Sequence, residues 1–548
     1  MKGVIFLSLI LISTVGNCQK NLWGIPIRAG SSCNSVTYDL RGNLFIAGDV
    51  NNEVTNQKYF NNYELPLNPQ CNQYSYLIKS DTSFNIKWIK LILSEGFGII
   101  KIIADAEKNI ILIGKNNGFI NMDSYSSNKS GTLLAKFSNN GDLQWVRNIY
   151  GICLPYDLTL DNENSIYFGG YAIDNLSFYN HGMQDTIVDI LGQWIFFAKY
   201  DKNGKFQWTK TTLNQSQSRL NDLEVDEDRN IYITGSWFEG STFDGIKKTL
   251  INSEIFIAKY NSNQQIQWLK QIGDPKTDYS VSGRGLAIDN NLKCIYVTGG
   301  FAGTVDFGNM TLQSNDKNIF LASYDFNGDL RWVKNMGYWS GFASSIEYGS
   351  NLLVDEGGMV YLTGILGQGG DFDGVSISAY DNTANSNLYV DQFIAKFTSA
   401  GKLIWVDHLG HPDYNDQLFS LSKYRSILTI GGQTRPNAIF GNNILINDNN
   451  YYLGYVCNIN TSLITDINDI ISTETYLDFY PNPAKDEIYF RLNNNSISLD
   501  VKIFDLQGRL IKAKCINQDE PEIDISDLLK GTYFLRLSNS LTRMLIKI

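Results

Sequence analysis

Histidine is almost missing from this 548-residue chain, with only His181, His408 and His411 present. That scarcity removes most of the material for a His-dependent hydrolase triad. His408 and His411 form an HxxH pair, but they follow Trp405 in a segment read as a loop, with no Glu between them. A metal site needs three or four converging ligands, so the pair is read as part of a connector, and His181 as a solvated residue of a polar insertion. Charged residues make up only 18% of the chain, and the 56 acids outnumber the 45 bases for a formal net charge of −11. With no basic excess to neutralise phosphates, no nucleic-acid partner is expected, and anionic membrane surfaces are disfavoured. No stretch reaches the roughly 18 apolar residues of a spanning helix, so no transmembrane segment is expected. A long 3.6-residue period is also missing, which leaves strands as the main element. The seven cysteines show no CxxC or Cys/His metal spacing. Cys33 could pair with Cys71 in an exported chain, or the thiols could be unpaired and buried. No metal and no cofactor is expected.

What the chain does have is aromatic residues, with 31 Tyr and 29 Phe, and a repeat. The N-terminus reads as a signal peptide over residues 1–18: Lys2 precedes an apolar run from Val4 to Ile12, with Gly16 and Cys18 placed for cleavage after Cys18. Lipidation of Cys18 is the rival reading, although Asn17 sits where a small residue is usual. From there a turn followed by an apolar strand ending in Gly recurs seven times. It reads DLRGNLFIAG at 39–48, DAEKNIILIG at 105–114, DNENSIYFGG at 161–170, DEDRNIYITG at 226–235, DNNLKCIYVTG at 289–299, DEGGMVYLTG at 355–364 and SKYRSILTIG at 422–431.

Between these copies lies a hairpin ending in Trp, at Trp88, Trp145, Trp208, Trp268, Trp332 and Trp405. A Phe with a turn residue also recurs, as in Phe243-Asp244-Gly245 and Phe372-Asp373-Gly374. The expected unit of about 60 residues has four strands: one before Gly, one near the Phe-Asp-Gly turn, and the hairpin. Four-stranded sheets in tandem close radially and so leave only short edges. The seventh copy lacks its Trp, while Trp23 stands unused before the first. A strand bearing Trp23 would complete the last unit, or Ile464 would stand in the Trp position and the unit would close on itself. The fold class expected is therefore all-β: a seven-bladed β-propeller over 19–462, a linker over 463–475 and a small C-terminal immunoglobulin-like β-sandwich over 476–548.

The repeat, clearest in GTVDFGNMTLQSNDKNIFLASYDFNGDLRWVK at 303–334, resembles the bacterial β-propeller repeat (SBBP) family. That resemblance implies a propeller fold and an exported location, and nothing about activity. The tail carries Tyr480-Pro481-Asn482-Pro483, the Asp505-to-Arg509 turn with Gly508, then Gly531 and Tyr533 in GTYF, and a basic apolar end. It resembles the type A C-terminal sorting domain of type IX secretion substrates. The resemblance implies the type IX machinery as a partner, export across the outer membrane, removal of the tail, and release or attachment to surface lipopolysaccharide. An adhesive immunoglobulin-like module is the alternative for a sandwich alone.

No catalytic constellation stands out. Asp161, Asp226, Asp228, Asp289 and Asp355 recur at the same turn, as turn-capping residues do, and lack the spacing of a Ca²⁺ loop. The repeat Trp residues are read as packing between units. Aromatics outside the repeat, Trp194, Trp237, Tyr338, Trp339 and Phe342, are the candidate ligand-binding residues, with burial as the competing role. The function expected is that of a monomeric, non-enzymatic binding or scaffold protein, secreted or on the outer-membrane cell surface, with a protein or glycan ligand. A polysaccharide lyase or glycosidase, whose paired carboxylates no spacing would reveal, and a structural adhesin are the alternatives.

Overall fold

The computed structural model describes residues 22–27, 31–51, 59–60, 63–64, 73–180, 183–188, 192–211, 218–238, 242–247, 254–273, 281–337, 347–367, 369–378, 390–410, 416–435, 438–440, 443–445, 452–461, 479–480, 484–490, 499–505, 509–516, 522–537 and 542–548. They fall into two compact units, Asn21–Ser462 and a C-terminal one beginning at Leu463. Every named element is a strand.

The larger unit repeats a four-stranded antiparallel meander. Its plan is clear in Arg219–Val225, Ile231–Trp237, Glu254–Tyr260 and Ile266–Ile272, which pair in that order. The turn between the first two strands is set by Asp226. Its Oδ1 accepts from Asn230 N at 2.8 Å, its Oδ2 from Asn230 Nδ2 at 2.8 Å and from Tyr232 Oη at 3.2 Å. Asp39, Asp161 and Asp355 cap their own turns in the same way. The recurring carboxylates are therefore local turn formers.

The third-to-fourth-strand hairpins carry the outer contacts. Trp88, Trp268 and Trp332 each donate their indole N–H, at 3.1 Å, to a carbonyl in the following unit's hairpin turn: Asn139, Phe326 and Ser399. In that turn Gly141 and Gly328 sit at φ +88° and +86°, and a Cβ on either would meet the Trp ring at 3.2 and 3.0 Å. Trp145 lies against Gly204 in the same way, and Trp332 against Gly401. The periodic tryptophans are thus mortar between units.

At the other edge, the first strands form a continuous series: Ser31–Tyr38, Phe97–Ala104, the second half of Leu143–Leu160, Arg219–Val225, Ser282–Asp289, Tyr348–Val354 and Gln417–Tyr424. Each packs beside the next, and Gln417–Tyr424 packs beside Ser31–Tyr38. The set of first strands is a closed, propeller-like ring. Its last sheet is completed from the N-terminus, where Leu22–Ile27 pairs antiparallel with Leu453–Asn460, Trp23 opposite Asn458.

Two expectations need correction. The Phe-Asp-Gly segments are not one of the four strands. Thr242–Phe243 with Ile246–Lys247, and Gly369–Phe372 with Val375–Ser378, are small separate hairpins. The missing strand is the first one, ahead of the Asp turn, which shares little from copy to copy beyond a branched apolar residue two places after the bulged one. His408 lies in strand Leu403–Gly410, opposite Phe393, and not in a loop; burial pulls its pKa down. Of the two readings left open for the thiols, the structure shows the unpaired, buried one for Cys33, Cys153, Cys294 and Cys457. Cys71, His181, His411 and Ile464 lie outside the described residues.

The C-terminal unit has a three-stranded and a four-stranded antiparallel sheet over a core that includes Ile488, Val501, Ile503, Ile523, Leu535 and Leu545.

Candidate functional site

The first strands share an irregularity that builds the site. In every one the register shifts at a β-bulge: between Cys33 and Ser35, Ile99 and Lys101, Pro155 and Asp157, Leu220 and Asp222, Gly283 and Gly285, Gly349 and Asn351, and Leu418 and Ser420. A bulge re-aims the extra residue. The seven extra residues are Asn34, Ile100, Tyr156, Asn221, Arg284, Ser350 and Phe419, and all of them line one cavity of about 130 Å³. That is room for a few waters or one small organic molecule.

In five of the seven strands the residue after the bulge fastens the ring. Ser420 Oγ accepts from Val36 N at 3.1 Å, and Ser35 Oγ accepts from Ile102 N at 3.0 Å. Asp157 Oδ2 accepts from Leu223 N at 3.2 Å, and Asp222 Oδ2 from Leu286 N at 2.7 Å. Each of these side chains reaches the equivalent amide of the following unit. A second set of clasps runs the other way in polarity: Asn34 Nδ2 donates to Ile99 O at 2.8 Å and Asn221 Nδ2 to Gly283 O at 2.7 Å. A lysine cannot accept a hydrogen bond, so Lys101 joins its neighbour by an ion pair with Asp157 instead.

Charge gathers on one side of the cavity. Asp157, Asp222 and Glu224 face Lys101 there, and Glu224 Oε2 accepts from Thr159 Oγ1 at 2.9 Å. Burial, and then the adjacent Asp157, push Asp222 far above the usual carboxylate range. Burial followed by Asp157 raises Glu224 to about 7. The three carboxyls hold Lys101 protonated against the cost of its burial. Arg284 differs from Lys101. Its guanidinium stacks 3.6 Å from the Tyr348 ring centroid, and much of its side chain is open to the channel. The groups acting on it are Tyr348, Tyr156 and Arg219, with no carboxylate among them.

None of these residues was singled out from the sequence. Trp194 and Trp237, proposed there as binding aromatics, are fully buried on the strands Gln193–Tyr200 and Ile231–Trp237. They are core residues, because these inner strands are buried along both faces. Tyr338, Trp339 and Phe342 lie outside the described residues. The signal that would have found the cavity is a register argument: the residue two before each post-bulge Val, Ile or Leu, read across all seven copies. Among the described residues no group of three or more His, Cys, Asp or Glu is placed to hold a metal ion.

In the C-terminal unit, Asp505 and Arg509 close a turn through Asp505 N to Arg509 O at 3.0 Å and Arg509 N to Asp505 Oδ1 at 2.9 Å. Tyr480 ends the strand Phe479–Tyr480. Gly531 and Tyr533 lie in Gly531–Leu537, and Tyr533 Oη donates to Leu529 O at 2.8 Å. Pro481, Asn482, Pro483 and Gly508 lie outside the described residues.

Comparison with known proteins bears on the two units unequally. Among solved structures, Drosophila Semaphorin 2a is similar at a TM-score of 0.38 and 8% identity, over 97% of this chain and 98% of that one. Virginiamycin B lyase from Staphylococcus aureus is similar at a TM-score of 0.33 and 8% identity, over 80% and 99%. Beta-agarase A of Zobellia galactanivorans is 26% identical over 81 residues, 15% of each chain, so only that small fraction of the agarase is spanned. The family described as the secretion system C-terminal sorting domain matches residues 478–548. That segment is a type IX secretion sorting domain, and it directs the chain to the cell surface or the extracellular space.

Proposed function

We propose that this chain is an exported seven-bladed β-propeller of the SBBP kind, carried out by an immunoglobulin-like type IX sorting domain, and that it works outside the cell as a non-enzymatic binding scaffold. The observation that carries the reading is the ring of seven bulged strands around one cavity, joined in sequence to a sorting domain. A ring clasped at both edges is rigid, and its bulges present six kinds of side chain at one position repeated seven times. That combination of constant backbone and varied side chains suits recognition.

A polysaccharide lyase or glycosidase is the second reading, favoured by Asp157, Asp222, Glu224 and Lys101 in one cavity. Against it, Asp157 and Asp222 each accept a backbone amide of the following unit, which gives both a structural task. The test is a joint binding and turnover screen of the secreted protein on glycans, cell-wall polymers and cell-surface proteins. Saturable binding without product supports the scaffold. Product that disappears in Glu224→Gln replaces it with the enzyme.

A further inference from the structure

We infer that the channel cavity is a binding site for a small organic carboxylate bearing hydroxyl groups, such as a sugar acid, with the carboxylate held by Arg284. This deepens the binding-scaffold reading and rests on it.

The argument starts from Arg284. It occupies the bulge position of its strand, so the backbone irregularity aims it into the channel. Its guanidinium stacks on Tyr348 at 3.6 Å, and such a planar group can pair its N–H fork with a planar acceptor. The other cation of the cavity, Lys101, is paired with Asp157, whereas among the described residues no carboxylate acts on Arg284. Among those residues one cation lining the cavity therefore lacks a carboxylate partner.

The rest of the wall selects the kind of anion. A phosphate dianion would face Asp157, Asp222 and Glu224 in the same small space, and like charges there are costly. A single carboxylate matches the one unbalanced cation. Asn34 and Asn221 direct their amide N–H groups to the next unit, Asn34 to Ile99 O and Asn221 to Gly283 O. The carboxyls of Asp157 and Glu224 supply acceptors on the cavity lining. Acceptors on the wall call for donors on the ligand, and hydroxyl groups supply them. Phe419, exposed at its bulge, adds an apolar surface against which a sugar ring can lie. The cavity of about 130 Å³ is below the usual drug-sized pocket, so the occupant is one sugar unit, either free or at the end of a chain.

Calorimetric titration of the full-length protein with D-galacturonate tests this, alongside its methyl ester, neutral galactose, and an oligogalacturonide. The result expected is saturable binding of galacturonate that falls at least tenfold for the methyl ester and for galactose. Arg284→Gln should weaken galacturonate at least tenfold, with Arg284→Lys between the two. Ser350→Phe, which fills the cavity from another strand, should abolish binding without involving the arginine. Equal monomer and oligomer affinities place the ligand as a free acid or chain end, and both support the site. Galacturonate failing to bind at millimolar concentration overturns the inference, as does binding unchanged in both variants. Glycan or protein binding in the wider screen that ignores Arg284→Gln and Ser350→Phe would sink this site while leaving the scaffold reading intact.

Discussion

The outer and inner edges of the repeat follow opposite rules. At the outer edge the same residues recur: a Trp on one unit meets a turn of the next, with Gly141, Gly204, Gly328 and Gly401 against Trp88, Trp145, Trp268 and Trp332. At the inner edge the geometry recurs and the residues do not. One bulge is repeated seven times and filled by Asn34, Ile100, Tyr156, Asn221, Arg284, Ser350 and Phe419. The lesson is that a constant residue marks what every unit needs to pack, whereas a constant position with varied residues marks where the ring has been free to acquire chemistry.

Substitutions can break that contrast at either edge. The largest effect is expected at the outer one, where Trp268→Ala removes both ring packing and the indole bond to Phe326 O. Thermal or urea unfolding should show a loss of about 3–5 kcal/mol. A loss below about 1 kcal/mol would mean the repeat tryptophans are not mortar. Gly328→Val should cost less, about 1–3 kcal/mol, from a positive φ and a Cβ aimed at the Trp268 ring. Calorimetric melting checks it, and an unchanged midpoint would show that the turn can yield.

At the inner edge the clasp and the bulge should separate. Asp222→Ala leaves Leu286 N without its acceptor and should cost about 1–3 kcal/mol. Ser350→Ala, at a bulge position, should stay within about 0.5 kcal/mol. Equal costs for the two in the same unfolding assay would erase the distinction between fastening and lining residues.

The smallest effect is one of pH. Glu224 is raised from an ordinary value of 4.5 to about 7 in the folded chain. The folded state therefore binds more protons than the unfolded one between those values, and stability falls as pH rises through that window, then levels off. Glu224→Gln should remove this share of the slope. Identical melting-temperature profiles for the two proteins from pH 4 to 8 would show that the cavity does not hold Glu224 protonated.

How much of this was legible in sequence follows from the same contrast. The Gly-terminated strands, the Asp turns and the Trp hairpins could be read because the residues repeat. Asp226 could be recognised as a turn former, since its partners Asn230 and Tyr232 lie within six residues. The first strand was missed because CNSV, IIKI, PYDL, LNDL, GRGL, GSNL and LFSL share little beyond a final branched apolar residue. A more repetitive neighbour, the Phe-Asp-Gly hairpin, took its place in the count. Trp194 and Trp237 misled for the converse reason: breaking the repeat does not bring a side chain to the surface on a strand buried along both faces.

By itself the sequence determined an all-β repeat array and an exported destination, because strand periodicity, turn chemistry and a terminal sorting motif all act over short spans of chain. Tertiary structure alone decided what meets at the centre. Lys101, Asp157, Asp222, Glu224 and Arg284 come from four separate units, and only the closing of the ring, with a bulge at each inner strand, brings their side chains to one cavity. Burial there, which no local pattern encodes, is what raises Glu224 and Asp222.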